Sequence, residues 1–316
     1  LLVQPMGFEF LASFFGAALI GAAPVPFPPP VDQHPGDEEP RFVGIAERLN
    51  AEAALFDPAV DYTRVPPMTG PNAPKLVAHL GELVEDVPIG AAVEPQATLP
   101  DIAYIQFTSG ATGPPRGVEL THQNILSNVR AIGEHIEVTP DDVGVSWVPP
   151  HNPMGVVGII CFGFYWGIDM VHVAPERFLK RPEDWLSAIS RHRGTLSTAP
   201  HFGYHYALRR CQESNLEGLD LSCWRVAMSG AEPVRAQHMD AFVRRFSEYG
   251  LNRDVFMPVY GLAEATLGVA FSDLDEPFRL DGIYRDRLEE GGVAEPLPEE
   301  GPELPSQRLH LGSVGR

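Results

Sequence analysis

From residue 102 onward, short apolar runs alternate with segments whose apolar residues recur at helical spacing. Ile102 to Phe107 is almost wholly apolar or aromatic, and Val143, Val145 and Trp147 alternate. "MVHVAP" (170–175), "TLSTAP" (195–200), "WRVAMSG" (224–230) and "VFMPVYG" (255–261) read as further extended segments. Between them, "DWLSAISRHR" (184–193) and "AQHMDAFVRRFSEYG" (236–250) are helical, the second with Met239, Phe242, Val243 and Phe246 on one face. Strands separated by helices join through crossovers, so the pattern predicts a doubly wound, mostly parallel α/β architecture. The unbroken apolar character of Ile102–Phe107 predicts a strand covered on both faces in such a sheet. At 316 residues the chain has room for about two domains. We draw them as 1–140 and 141–271, followed by an acidic Pro/Gly-rich segment, 272–316, without periodicity. Within that segment 272–310 reads as a surface insertion or mobile loop.

The first strand runs into "FTSGATGPPRGVELTH". Gly110 and Gly113 let backbone N–H groups converge on one point, while Thr108, Ser109 and Thr112 add short donors. Arg116 adds a guanidinium fork that suits phosphate oxygens. Thr121 reads as the N-cap of a helix carrying Ile125, Val129, Ile132 and Ile136. Strand, glycine-hydroxyl loop and helix make a phosphate-binding design, although such a loop alone also serves as an ordinary turn. The Walker A spacing is absent.

Two more strands end in polar Gly-containing turns: Ser229-Gly230-Ala231-Glu232 and Tyr260-Gly261-Leu262-Ala263-Glu264. Ligands of open α/β sheets bind beyond the carboxyl ends of strands. Three such turns suit one crevice, with phosphate donors in the first, backbone beside a base in the second, and an aromatic face and a carboxylate in the third. A carboxylate beside polyphosphate repels it unless a hard cation lies between, so Glu264 implies Mg²⁺.

The formal net charge of −19, with no basic block, argues against sequence-independent binding to nucleic acid or anionic membrane. Cys161, Cys211 and Cys223 are widely spaced and form neither a metal pattern nor a disulfide framework, which points to a reducing compartment, the cytoplasm. The opening "FEFLASFFGAALIGAAPVP" has the small-residue ending of a signal peptide. It has no preceding Lys or Arg and contains Glu9, so it reads as a buried amphipathic helix, not a leader or a membrane span. "LLVQP" before it reads as the tail of a strand.

"FTSGATGPPRGV", "SGAEPV" and "YGLAEATL", in this order, resemble the adenylate-forming superfamily. "RPEDWLSAISRHRGTLSTAP" and "GLDLSCWRVAMSGAEPVR" resemble its fatty acyl-AMP ligase branch. The likeness implies two α/β subdomains of the family's N-terminal domain, fragmentary at both ends. It also implies a fatty carboxylate activated by ATP to an acyl-adenylate, with an acyl carrier protein as acceptor in polyketide or lipopeptide biosynthesis. By resemblance, Thr108, Ser109, Gly110, Ala111, Thr112, Gly113 and Arg116 hold the phosphates, Arg116 standing where the family usually has Lys. Gly230, Ala231 and Glu232 border adenine, and Tyr260, followed by Gly261, Leu262 and Ala263, stacks on it. Glu264 holds Mg²⁺ and, with Arg116 and Thr108, forms the catalytic set. The acyl tunnel falls on Ala199 to Tyr206, including His201 and Phe202, and on His151, Asn152, Met154 and Gly155.

The spacing of His201 and His205 also fits a helical metal pair, but with no third ligand nearby the reading favours tunnel-wall or core histidines. The sequence departs from the family in two places. The family's His-Asp pair falls on Asn152 and Pro153, with His151 one place earlier. The family's ribose-binding aspartate, hinge and small C-terminal domain with its catalytic lysine lie past Arg316, so the resemblance implies weak or no activity for this stretch alone. An acyl-CoA ligase and a non-catalytic lipid- or partner-binding module are the alternatives.

Overall fold

The computed structural model describes residues 1–28, 39–59, 73–84, 90, 94–108, 116–274, 280–297 and 308–312; of 39–42, 280–281 and 308–312 it describes the backbone alone. The chain forms two compact units, Leu1–Ser127 with Pro149–Val156, and Asn128–Val148 with Val157–Arg316. Among the described residues no helix is long and apolar enough to cross a membrane.

In the first unit, β1 (Leu2–Val3), β2 (Ala53–Phe56) and β3 (Leu76–His79) form a parallel sheet in that order. α1 (Phe8–Leu19), α2 (Glu39–Leu49) and α3 (Leu80–Val84) accompany it. Val3, Ala46, Ala54 and Phe56 are nearly inaccessible in its core. As expected, the chain opens on a strand, and α1 buries Phe10 and Phe14. Phe14 meets the edge of the Tyr104 ring at 5.8 Å.

The apolar run at 102 is β4 (Ile102–Thr108), but its partner corrects the expectation. β4 pairs antiparallel with β5 (Arg116–Thr121) in a two-stranded sheet, Ile105 opposite Glu119 and Phe107 opposite Gly117. An apolar run records that both faces are covered, not which strand lies alongside. Here the partner is supplied locally, across the loop, so no crossover is needed. The sequence after the loop is therefore strand then helix, not helix alone. α4 (His122–His135) begins at the expected cap: Thr121 Oγ1 accepts from the Asn124 N–H at 3.1 Å, and Asn124 Oδ1 accepts from the Thr121 N–H at 3.0 Å. This reciprocal pair satisfies donors that a helix start leaves open. Ile125, Val129, Ile132 and Ile136 are all buried, as their spacing predicts. α5 (Pro153–Gly155) closes the unit.

The second unit is built on β6 (Val143–Ser146), β7 (Asp169–His172), β8 (Leu196–Pro200), β9 (Val226–Gly230), β10 (Phe256–Gly261) and β11 (Gly268–Phe271). Their order is β11-β10-β9-β8-β6-β7, parallel except for the antiparallel edge strand β11. α6 (Phe162–Trp166), α7 (Pro175–Lys180), α8 (Glu183–His192), α9 (His201–Arg210) and α10 (Ala236–Phe246) lie between the strands in sequence, which makes the crossovers that the alternation predicts. β6 stops one residue before Trp147, whose ring stacks on Phe178 at 3.9 Å. Trp185 and Trp224 meet edge to face at 5.4 Å, and Tyr204 meets Phe256 at 5.1 Å. Their polar atoms are satisfied: Trp185 Nε1 donates to Ser197 Oγ at 3.1 Å and Tyr204 Oη to the Met228 carbonyl at 2.8 Å. Within 272–310 the aperiodic reading needs correction. β12 (Leu280–Tyr284) pairs antiparallel with β13 (Arg308–Gly312), and α11 (Arg285–Gly291) follows β12. The pairing joins strands far apart in the sequence, so neither strand marks its partner locally.

A buried ion pair locks the start of this sheet. Asp142, 3% exposed, takes the Arg225 guanidinium on both oxygens at 2.8 and 2.7 Å, with Thr195 Oγ1 and the Thr139 N–H as further donors. Arg225 also donates to the carbonyls of Ile136 and Glu137, joining the end of α4 to β9. Burial alone would raise the Asp142 pKa; these donors outweigh it and hold the carboxyl at about 2, below the ordinary 3.8. A depressed folded-state pKa gives stability that is complete above the unfolded value and is lost as pH falls from near 4 through about 2. Asp142→Ala leaves Arg225 without its partner and is expected to cost about 3 kcal/mol in urea unfolding at neutral pH. The deficit should shrink in acid, where the wild type loses the same pairing.

Candidate functional site

The carboxyl ends of three adjacent parallel strands carry candidate residues of the second unit. Pro200 at the end of β8 lies opposite Gly230 at the end of β9, and Ser229 of β9 lies opposite Pro258 of β10. The turns after β9 and β10 and the first turn of α9 are therefore neighbours. Gly230 is required here: a Cβ on it would lie 2.5 Å from the Val259 carbonyl oxygen. Ala231 follows in left-handed backbone (φ 65°), a conformation that turns the chain away from the sheet. Tyr260, near the end of β10, is half exposed. At Gly261 the pairing with β11 slips, and Leu262 N–H donates to the Leu267 carbonyl at 3.0 Å, closing the Tyr260–Glu264 turn. Glu264 is exposed, and no cation pairs with it among the described residues. Two residues on, buried Thr266 has φ 76° and ψ −62°, with Leu267 N–H donating to the Ala265 carbonyl at 3.0 Å. This γ-turn is uncommon for a β-branched residue and fixes the exit of the Glu264 turn.

Glu232 does more than its place in the turn foretold. Its Oε1 accepts the backbone N–H of Phe202 at 2.6 Å, so the β9 turn caps the first turn of α9. His201 beside it is buried and accepts the Arg235 N–H on Nε2 at 3.2 Å. A backbone N–H can only donate, so Nδ1 carries the His201 proton, and Ser229 Oγ lies 3.4 Å from it. His238 Nδ1 also meets His201 Nε2 at 3.1 Å, and His205 stacks on His238 with ring centroids 3.8 Å apart. Burial, then the neighbouring His238, His205 and Arg235, lower the His201 pKa to about 4, which keeps it a neutral acceptor at physiological pH. The i, i+4 pair His201–His205 thus sits among ring and backbone partners. Phe202 is exposed and meets the Trp147 ring edge-on at 5.6 Å.

The remaining candidates belong to the first unit. Thr108 ends β4 directly opposite Arg116, which begins β5 with its side chain exposed. Ser109, Gly110, Ala111, Thr112 and Gly113 lie outside the described residues. Gln106, 1% exposed, donates from Nε2 to the His151 carbonyl at 3.0 Å, tying the 151 loop to β4. Asn152 accepts the Met154 N–H on Oδ1 at 2.9 Å and so caps α5. Gly155 tolerates no side chain, since a Cβ would lie 2.1 Å from the Pro149 carbonyl oxygen. The residues that sequence reasoning missed are Gln106, His238 and Thr266. A lone glutamine within "YIQF" was the available sign of the first; the other two act through tertiary contacts with no local mark.

The family described as AMP-binding enzyme matches residues 1–285. The medium-chain-fatty-acid–[acyl-carrier-protein] ligase JamA of Moorena producens is 35% identical over 305 residues, 95% of this chain and 51% of that protein. A solved fatty acyl-adenylate ligase, from work on the E. coli and L. pneumophila enzymes, superposes with a TM-score of 0.88 at 32% identity, covering 100% of this chain and 56% of the other. The L. pneumophila fatty acyl-adenylate ligase in complex with acyl adenylate and pyrophosphate gives 0.83 at 28% identity, covering 99% and 53%. The chain spans about half the length of the relatives it matches.

Proposed function

Because the chain belongs to the AMP-binding enzyme family, we propose that it carries the nucleotide- and acyl-binding part of a fatty acyl-AMP ligase. The fatty carboxylate attacks the α-phosphorus of ATP, the bond to the β-phosphate oxygen breaks, and pyrophosphate leaves with the electron pair. The thiol of an acyl carrier protein, the acceptor in the relative's name, then takes the acyl carbon, the bond from that carbon to the adenylate oxygen breaks, and AMP leaves with the electron pair while the thiol proton passes to solvent. The observation that carries this reading is the register of β9 and β10, which sets Gly230–Glu232 beside a half-exposed Tyr260 and a Glu264 carboxylate that pairs with no cation among the described residues.

Reactions of this kind depend on alignment and charge neutralisation more than on protein nucleophiles. Tyr260 offers its face to adenine, and the backbone at Gly230–Ala231 and Glu232 border the base. Thr108, the amides and hydroxyls of Ser109–Gly113, and the Arg116 fork hold the phosphates. Glu264 suits Mg²⁺ because it is an exposed carboxylate with no competing cation among the described residues. Bound there, the ion would offset triphosphate charge. We assign His151, Asn152, Met154 and Gly155 of the first unit, and His201 and Phe202 of the second, to acyl binding. The three free cysteines support a reducing compartment, the cytoplasm, as the place where it works.

The test, run on a protein extended to the length of its relatives, is fatty-acid-dependent pyrophosphate release with detection of the acyl-adenylate, followed by competition between a carrier protein and coenzyme A. Acyl-adenylate formation with transfer to the carrier is expected. ATP binding without fatty-acid-dependent release at any chain length would leave the non-catalytic module as the better account. Arg116→Ala is expected to weaken ATP more than AMP, because the guanidinium meets phosphate and not base. Equal losses for the two nucleotides, measured by calorimetry, would remove Arg116 from the phosphate site.

A further inference from the structure

Far along α9 from His201, the chain gathers positive charge where its composition makes that costly. A cleft of about 550 Å³ is lined by Lys180, Arg181, Arg209 and Arg210, with Glu183 and Asn215 among the other lining residues. The sequence holds 23 Lys and Arg against 42 Asp and Glu. A lining with four cations and one carboxylate runs against that balance. The one carboxylate is already engaged: Glu183 Oε1 accepts from Asn215 Nδ2 at 2.6 Å and lies 3.6 Å from Arg181 Nε. Among the described residues, no carboxylate pairs with Lys180, Arg209 or Arg210.

Cations at a helix C-terminus ordinarily answer its open carbonyls and its negative dipole end. At α9 that need is already met by another residue. Arg245 of α10 donates to the Leu208 carbonyl and, at 2.6 Å, to the Cys211 carbonyl. Arg209 and Arg210 are exposed, leaving their forks to face the cleft they line. The frame is fixed as well: Tyr206 Oη donates to the Leu179 carbonyl at 2.6 Å, holding the end of α7 against α9. Arg210 lies 5.8 Å over the Tyr206 ring. Like charges gathered in a concave, fixed setting repel one another, and a bound anion relieves that repulsion.

We propose that this cleft is a binding site for a small phosphate-bearing anion of two or more negative charges. Guanidinium forks fit phosphate oxygens bidentately, and the volume falls in the range of small-molecule sites, roughly 300–1,000 Å³. The site is separate from the residues assigned to the nucleotide and does not depend on that assignment.

The probe is inorganic pyrophosphate, titrated calorimetrically with EDTA present so that no metal contributes. Binding is expected to survive Arg116→Ala, to exceed that of orthophosphate, and to weaken about tenfold or more in the Arg209→Gln/Arg210→Gln protein, as expected on losing charge-assisted bonds. The Arg209→Lys/Arg210→Lys protein keeps the charge but loses the forks, and should fall between the two. Both pairs are exposed, so their melting temperatures should match the wild type. Unchanged pyrophosphate binding in the Gln pair overturns the proposal. So does a cleft that binds polyglutamate peptide without competition from pyrophosphate, since that outcome marks a protein-docking surface.

Discussion

Replacing Gly261 with alanine is expected to disable the protein while leaving most of its fold in place. The added Cβ would lie 1.9 Å from the Leu267 carbonyl oxygen and 2.9 Å from its carbon. Those are backbone atoms, so no rotamer change can yield. The Leu267 carbonyl accepts the Leu262 N–H that closes the turn, and Gly261 sits where the β10–β11 register slips. Relief therefore requires that bond to open or β11 to move, at a cost of about 1–3 kcal/mol by the measure of overpacked sites. The displaced segment carries Tyr260 and Glu264, and a misplacement of about 1 Å in a positioned group can cost on the order of 100-fold in rate. Two other glycines calibrate the result. At Gly268, a Cβ would meet the Phe271 ring tip at 2.5 Å, a side chain that can turn aside, so Gly268→Ala should be milder. At Gly16, within α1, nothing lies within 4 Å, and Gly16→Ala should stabilise by roughly 0.5–1 kcal/mol through helix propensity. Thermal melts and acyl-adenylate formation on the three proteins check the ranking. A Gly261→Ala protein as active as Gly268→Ala would show that the turn adapts.

The contrast between the two units explains what the sequence could disclose. In the second unit β6, β7, β8 and β9 are short and each is followed by helix before the next strand, and such segments are satisfied by crossovers into a common sheet. β6 to β10 were legible for that reason, and so was the adjacency of the turns after β9 and β10. β4 was legible as a strand but not as a hairpin, because "RGVELT" alternates weakly and Arg116 looked like part of the loop. The capping of α4 was readable from Thr121, since cap chemistry is local. The link from Glu232 to Phe202 spans 30 residues, and the stacking of His238 on His205 crosses from α10 to α9. Such contacts depend on where strands end relative to one another, which no local pattern encodes. "AQHMD" reads as an ordinary helix start, and nothing in it marks His238.

Glu264→Gln is expected to abolish acyl-adenylate formation without weakening the fold. The side chain is exposed and engages no cation among the described residues, so its replacement should change unfolding free energy by less than about 0.5 kcal/mol. Glutamine keeps the size and one acceptor oxygen but removes the charge. If Glu264 holds Mg²⁺ against the triphosphate, losing that charge lowers metal occupancy and leaves phosphate charge uncompensated as pyrophosphate departs. Removing one such electrostatic contribution typically costs about 100- to 1,000-fold in turnover. The loss should appear first as a rise in the Mg²⁺ concentration needed for half-maximal rate, with AMP affinity unchanged, since the proposed site holds AMP through Tyr260 and the β9 turn. Glu264→Asp keeps the charge on a shorter arm, so it should recover part of the rate at high Mg²⁺. Glu232→Gln serves as the control for charge alone. It also removes a carboxylate from these strand ends, but one whose structural work is accepting the Phe202 N–H, a bond the amide oxygen can still make. If Glu264→Gln keeps its rate within about threefold at all Mg²⁺ concentrations, less than one tenfold step of 1.4 kcal/mol, Glu264 does not hold the metal. If Glu232→Gln shows the same Mg²⁺ dependence as Glu264→Gln, the effect belongs to the field of the strand ends and not to a ligand carboxylate.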